Sequence, residues 1–278
     1  MRLGYVTNGF AHHDPLDAIS ILGALGYRSV ALTIDHGTLA PGRTGPDDVA
    51  RLRDRLAEYD LGCVIETGAR FLLDPWLKHE PTLVSSTPEA RRRRVDFLRY
   101  AIDTAVELGA PCVSLWAGIV RDGAESGEVL DRLANGLEIV CRHADQAGID
   151  IGFEPEPGMA IDTMGRFSRL LEWFDAPRLK LTLDIGHLYC QGEVPLADPI
   201  RRWADRLVNI HLEDMRAGVH EHLMFGEGEI AFAPVLNVLR EIDYRGPVHV
   251  ELSRHAHEAV EAAKRAIAFL TPLWPADR

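Results

Sequence analysis

Two hydrophobic periods alternate along this chain. Short apolar or β-branched runs of four to six residues occur at 2–7, 29–34, 62–66, 112–116, 150–154, 180–184, 207–211 and 248–251. Between them, at 14–26, 47–60, 88–109, 128–148, 164–174, 198–206, 232–242 and 257–270, apolar residues recur with the helical spacing that gives one buried face and one solvated face. Eight strand-then-helix units predict an α/β protein whose parallel strands are buried on both sides. That number of units in 278 residues suits a single (β/α)8 TIM barrel over residues 1–278 better than an open doubly wound sheet. An open sheet would call for a glycine-rich phosphate loop after the first strand, and TNGFAHHD at 7–14 is not one.

The punctuation agrees with this reading. Gly26, Gly109, Gly148 and Gly246 stand where helices should stop. Thr87, Pro88 and Glu89 read as a helix start, and the following arginines, Arg91 to Arg94, read as a solvated helix face. The longest connection, 67–87 after the third strand, carries Arg70, Phe71, Trp76, Lys78 and His79. It is expected to be a lid or a wall of a site, the alternative being a packed insertion.

Composition narrows the class. A net charge of −12 repels a nucleic-acid backbone. No apolar run approaches the ~18 residues of a membrane span, and the first residues do not read as a secretion signal. Four scattered cysteines with no CxxC pair are expected to be free thiols. The expectation is a soluble cytoplasmic protein with a small-molecule partner and neither nucleic acid nor membrane. A homo-oligomer remains open.

The strand candidates at 150–154, 180–184, 207–211 and 248–251 break the all-apolar rule at their last residue, with Glu154, Asp184, His211 and Glu251. In a parallel barrel those positions share one rim. Any one of the carboxylates alone reads as a helix cap. Three carboxylates and an imidazole together would repel one another unless a cation lay among them, so the set predicts a divalent metal. The oxygen-rich donors favour Mn²⁺ first, with Mg²⁺, Co²⁺ and Zn²⁺ also admissible.

The series FEPEPG, LTLDIGH, VNIHLED, HEHLMFGEGEI and HVELS resembles the xylose-isomerase-like barrel superfamily of sugar isomerases and epimerases. The resemblance implies Glu154, Asp184, His211 and Glu251 as metal ligands, with Glu154 and Glu251 also acting as acid and base. It implies His187 as a substrate contact or a ligand of a second metal. The loop histidines His220 and His222 would join His187 in such a second site, as in DNA-repair endonucleases of the superfamily. The extra early-strand histidines of those endonucleases are missing here. Arg216 falls in a loop where family epimerases place an arginine against substrate, and Glu156, Trp116 and His222 are further wall candidates. The expected function is therefore a metal-dependent sugar or polyol-ketone isomerase or epimerase working through an enediolate. A dehydratase of a cyclic keto-polyol, of inosose or dehydroshikimate type, is the alternative. An abasic-site endonuclease and a non-catalytic metabolite-binding barrel rank behind both.

Overall fold

The computed structural model describes residues 1–274. The predicted strands form in order as β1 (Arg2–Val6), β2 (Ser29–Thr33), β3 (Gly62–Glu66), β4 (Cys112–Leu115), β5 (Asp150–Phe153), β6 (Leu179–Asp184) and β7 (Leu207–Leu212). A hairpin absent from the sequence reading follows, β8 (Asp214–Arg216) and β9 (Val219–Leu223), so the eighth strand of the main sheet is β10 (Pro247–Val250). The eight parallel strands close in the order β1-β10-β7-β6-β5-β4-β3-β2, a (β/α)8 barrel. The larger helices are α1 (Pro15–Leu25), α2 (Pro46–Glu58), α3 (Pro88–Leu108), α4 (Ser126–Ala147) and α5 (Met164–Trp173). Two short ones follow, α6 (Ile185–Cys190) and α7 (Ala197–Arg202), and then α8 (Phe232–Glu241) and α9 (Ala259–Leu270).

By contact density the chain divides into two compact units, one of residues 1–32, 54–63 and 181–278 and one of 33–53 and 64–180. In the first, lateral register fixes which side chains meet. Asp184 on β6 lies opposite His211 on β7. His211 lies opposite His249 on β10, His249 opposite Gly4 on β1, and Gly4 opposite Ser29 on β2. Partners in one lateral row of a sheet face the same way, so this row lines one level of one face.

In the second unit α3 supplies a long stretch of core. Thr87 caps it by accepting from the Ala90 amide at 3.3 Å, with proline in the first turn, as expected. Gly109 ends it at a φ of 69°, and Gly26 and Gly148 end α1 and α4 in the same left-handed region. Gly246, expected from the sequence to stop a helix, does not. Asp243 takes the left-handed turn after α8 instead, and Gly246 is small because a Cβ would lie 2.3 Å from the Tyr244 hydroxyl.

Arg94 also corrects the sequence reading, since it is only 1% exposed. Its guanidinium donates to the Thr67 carbonyl at 2.8 Å and stacks on Trp116 at 4.5 Å. Burial, partly offset by the Glu80 carboxylate, pushes its pKa down to about 9. All four cysteines are buried and none is in a disulfide among the described residues. Among the described residues, no helix is long and apolar enough to cross a membrane.

Candidate metal and acid–base site

β6 and β7 deliver the centre of the site. Asp184, the last residue of β6, is both things its type allows. Its Oδ1 accepts the His187 amide at 2.8 Å and so caps α6, which satisfies a helix N–H that would otherwise be an orphan. Its Oδ2 is buried and has no hydrogen-bond partner. That oxygen lies 3.7 Å from His187 Nε2 and 3.9 Å from His211 Nδ1. The same Nδ1 of His211 is 3.0 Å from Glu251 Oε2, and the other oxygen of Glu251 accepts from the Asn8 amide nitrogen at 2.7 Å. Three of the four predicted ligands, from β6, β7 and the residue after β10, are thus one connected group.

A further carboxylate escaped the sequence reading. Glu213 is fully buried beside Asp184. Burial, then the negative charge of Asp184 and a hydrogen bond to it, and then the charge of Glu251, hold its pKa well above the ordinary glutamate value. Glu251 behaves oppositely. Burial opposes its ionisation, but the charge of His211 and a hydrogen bond from it outweigh that and lower its pKa. Asp184 is likewise lowered, with burial outweighed by His187, Glu213 and His211. Gly186 explains how Glu213 fits. A Cβ there would lie 1.9 Å from Glu213 Oε1 and 2.8 Å from Met215 Cε.

The β8–β9 hairpin adds imidazoles. His187 Nε2 is 3.1 Å from His220 Nε2, which is 3.3 Å from His222 Nε2, so the three predicted second-site histidines do converge. Burial, reinforced by the other two rings, pulls His220 down to about 4, and burial also lowers His187. The hairpin is anchored by Asp214, whose carboxylate accepts from the amides of Met215, Gly226, Gly228 and Ile230 at 2.8–3.0 Å. Gly228 is needed for that cradle, because a Cβ would lie 2.3 Å from Asp214 Oδ1. Arg216 is not brought to the cluster. It is exposed, and its guanidinium donates to the Glu227 carbonyl at 3.0 Å.

The second unit holds the remaining candidates. Glu154 follows β5, is 4% exposed, and its amide donates to the Leu115 carbonyl at 2.8 Å. Trp116, next in sequence to Leu115, is buried between Arg94 and the edge of His79 at 5.2 Å. The Glu156 amide donates to the Ile161 carbonyl at 3.1 Å, and its side chain is half-buried. In the long connection His79 packs inward, while Trp76 is 89% exposed.

The donor chemistry fits a divalent cation. Asp184 leaves one buried oxygen unpartnered beside an imidazole nitrogen, and the ionised Glu251 carboxylate lies against the same ring. Burying that much charge without a counter-ion is costly. His187, His220 and His222 form a second group with metal-ligand spacing, as do Glu213, His222 and Glu251.

Fold and site together define the class: the chain belongs to the xylose isomerase-like TIM barrel family, whose model matches residues 19–273. Over 253 residues it is 24% identical to L-ribulose-5-phosphate 3-epimerase UlaE of Escherichia coli O1:K1 / APEC, covering 90% of this chain and 86% of that one. Over 146 residues it is 30% identical to an inosose dehydratase of Lacticaseibacillus casei, covering 46% of this chain. That match spans about half (49%) of the dehydratase's own length. In fold it is similar to a D-allulose 3-epimerase from Methylomonas sp. in complex with D-allulose, with a TM-score of 0.79 at 21% identity, covering 99% of this chain and 97% of that one.

Proposed function

We propose that this protein is a divalent-metal-dependent epimerase or isomerase of a sugar or polyol-derived ketone, working as one barrel domain. The observation that carries the reading is the buried Asp184–His211–Glu251 group with its unpartnered Asp184 oxygen. Glu154, at the end of β5, completes the ligand set in this reading, with Mn²⁺ the preferred ion. A bound divalent ion supplies Lewis-acid polarisation of the substrate's carbonyl and neighbouring hydroxyl oxygens.

The protein's own groups do the rest. Glu251 is held ionised by His211 and oriented by Asn8, so it is ready to take the proton from the carbon next to the carbonyl. The electron pair of that C–H bond passes into the enediolate. Glu154 returns a proton to the carbon, and return from the opposite face inverts the centre. His187 is placed to bind a substrate hydroxyl, with His222, Glu156 and Trp116 as wall. The trio of His187, His220 and His222 is proposed as an accessory metal site. Matches to sugar 3-epimerases over nearly the whole chain support this reading.

Dehydration is the second reading, favoured by the 30% identity to inosose dehydratase over part of the chain. It shares the first proton abstraction and then expels a β-hydroxyl as water. D-allulose and an inosose, each offered with Mn²⁺ in D₂O, separate the two. Deuterium entering the carbon next to the carbonyl, with an epimer and no ultraviolet-absorbing enone, is the expected result. Enone formation with inosose alone would assign the dehydratase.

A further inference from the structure

One buried chain of polar groups lies behind the proposed ligand His211 and takes no part in the chemistry above. The His211 Nε2 atom is 3.0 Å from the Asn209 side-chain nitrogen, and Asn209 Oδ1 is 2.7 Å from His249 Nδ1. His249 Nε2 is in turn 2.9 Å from Ser29 Oγ. Ser29, Asn209, His211 and His249 are all essentially inaccessible to solvent.

Four polar side chains in a barrel interior are an expensive choice unless they are matched to one another. The backbone has been cut to fit them. Gly4 lies between His249 and Ser29 in the lateral row, and a Cβ there would lie 2.3 Å from His249 Cδ2. Only a glycine lets the imidazole reach across β1 to the serine. Asn209 sits two residues before His211 on β7 and so shares its face of the strand.

Asparagine is the member of this chain that matters, because its amide can present oxygen or nitrogen to either neighbour. With its nitrogen toward His211, Nε2 of His211 accepts and Nδ1–H donates to Glu251. His249 then donates from Nδ1 to Asn209 and accepts from Ser29. With the amide reversed, Nε2–H of His211 donates to Asn209 Oδ1, and Asn209 donates to His249 Nδ1. His249 Nε2–H then donates to Ser29. Each imidazole keeps one proton throughout, and the reversed direction turns a lone pair on His211 Nδ1 toward Asp184 and Glu251, where a cation would meet it.

We propose that Asn209, with His249 and Ser29, is a positioning relay with two directions, and that an ion on His211 Nδ1 selects the reversed one. This rests on the reading of His211 as a metal ligand through Nδ1, the nitrogen that faces Asp184 and Glu251. The relay then fixes the ring's tautomer and orientation from behind, as hydrogen-bonded partners of metal-bound histidines commonly do. It also makes His249, which touches no ligand oxygen, report on occupancy of the site.

The test combines calorimetric Mn²⁺ titration of the whole protein with imidazole nitrogen NMR of the Mg²⁺-loaded form. Asn209→Leu is expected to bind Mn²⁺ about 10–100-fold more weakly than wild type. Asn209→Asp, whose carboxylate still accepts from His211 Nε2–H, should lose far less. In wild type, Mg²⁺ should move the proton of both His211 and His249 from Nδ1 to Nε2. If Asn209→Leu binds Mn²⁺ as tightly as wild type, or His249 keeps its proton on Nδ1 when the ion is bound, the relay is wrong and the metal site stands. If wild type itself binds neither ion at millimolar concentration, the metal reading fails and the relay falls with it.

Discussion

Asp184 shows how one side chain carries two duties. Its Oδ1 caps α6, and its Oδ2 is left over in a buried place. Asp184→Asn separates the duties, because the amide oxygen can still cap. The variant is expected to unfold within about 2 °C of wild type when both are metal-free, yet to bind Mn²⁺ at least ~100-fold more weakly by calorimetry. Glu213 gives a prediction of opposite kind. Its folded pKa is raised, so the folded state keeps its proton to higher pH than the unfolded chain does. Metal-free protein therefore loses stability as pH rises from the ordinary glutamate value through the folded one. Glu213→Gln mimics the protonated form. It should stabilise the metal-free protein at pH 7 by on the order of 1 kcal/mol in thermal unfolding, with the gain vanishing towards pH 4. A gain that persists unchanged at pH 4 would assign the effect to something other than this carboxyl.

The residues that were legible in the sequence were those that broke a rule at a strand end: Glu154, Asp184, His211 and Glu251. Those that were missed broke it elsewhere. Asn209 and His249 are polar positions inside strands, a signal equal in kind that attention to strand ends passes over. Glu213 and Asn8 lie in connections, where polar residues are ordinary and only the folded geometry singles them out. Arg94 was misread because the four-arginine run looks solvated. Its spacing to Leu98 and Ala101 nevertheless placed it on the buried stripe of α3.

At the scale of elements, β8 and β9 were invisible because their sequence does not alternate. The half-buried residues of β9 are His220, Glu221, His222 and Leu223, and Asp214 ties the loop that follows to the hairpin. Asp214→Ala removes an acceptor from amides of Met215, Gly226, Gly228 and Ile230. It is expected to cost about 2–4 kcal/mol in urea unfolding. Hydrogen exchange should show faster exchange in residues 215–230 than in the barrel strands, and uniform loosening would contradict the anchoring role. The longer helices, by contrast, were legible almost to their caps, whereas the six-residue α6 was not expected. Thr87, Gly26, Gly109 and Gly148 act locally, so sequence alone contains their reasons.

For the molecule as a whole, eight βα repeats were readable because a parallel barrel imposes one hydrophobic pattern on each strand and another on each helix. The chemistry that the rim performs depends on groups distant in sequence, such as Asn8 holding Glu251. The central claim is that carboxylates around a divalent ion move a carbon-bound proton. The measurement that meets it most directly is deuterium incorporation from D₂O into the carbon next to the carbonyl of D-allulose, followed by NMR after removal of Mn²⁺. Wild type is compared with Glu251→Gln under conditions where calorimetry shows the ion bound to both. The account predicts incorporation by wild type that chelation abolishes, and at least ~100-fold slower incorporation by Glu251→Gln with the ion in place. Incorporation that survives chelation, or that proceeds at the wild-type rate in Glu251→Gln, would contradict it.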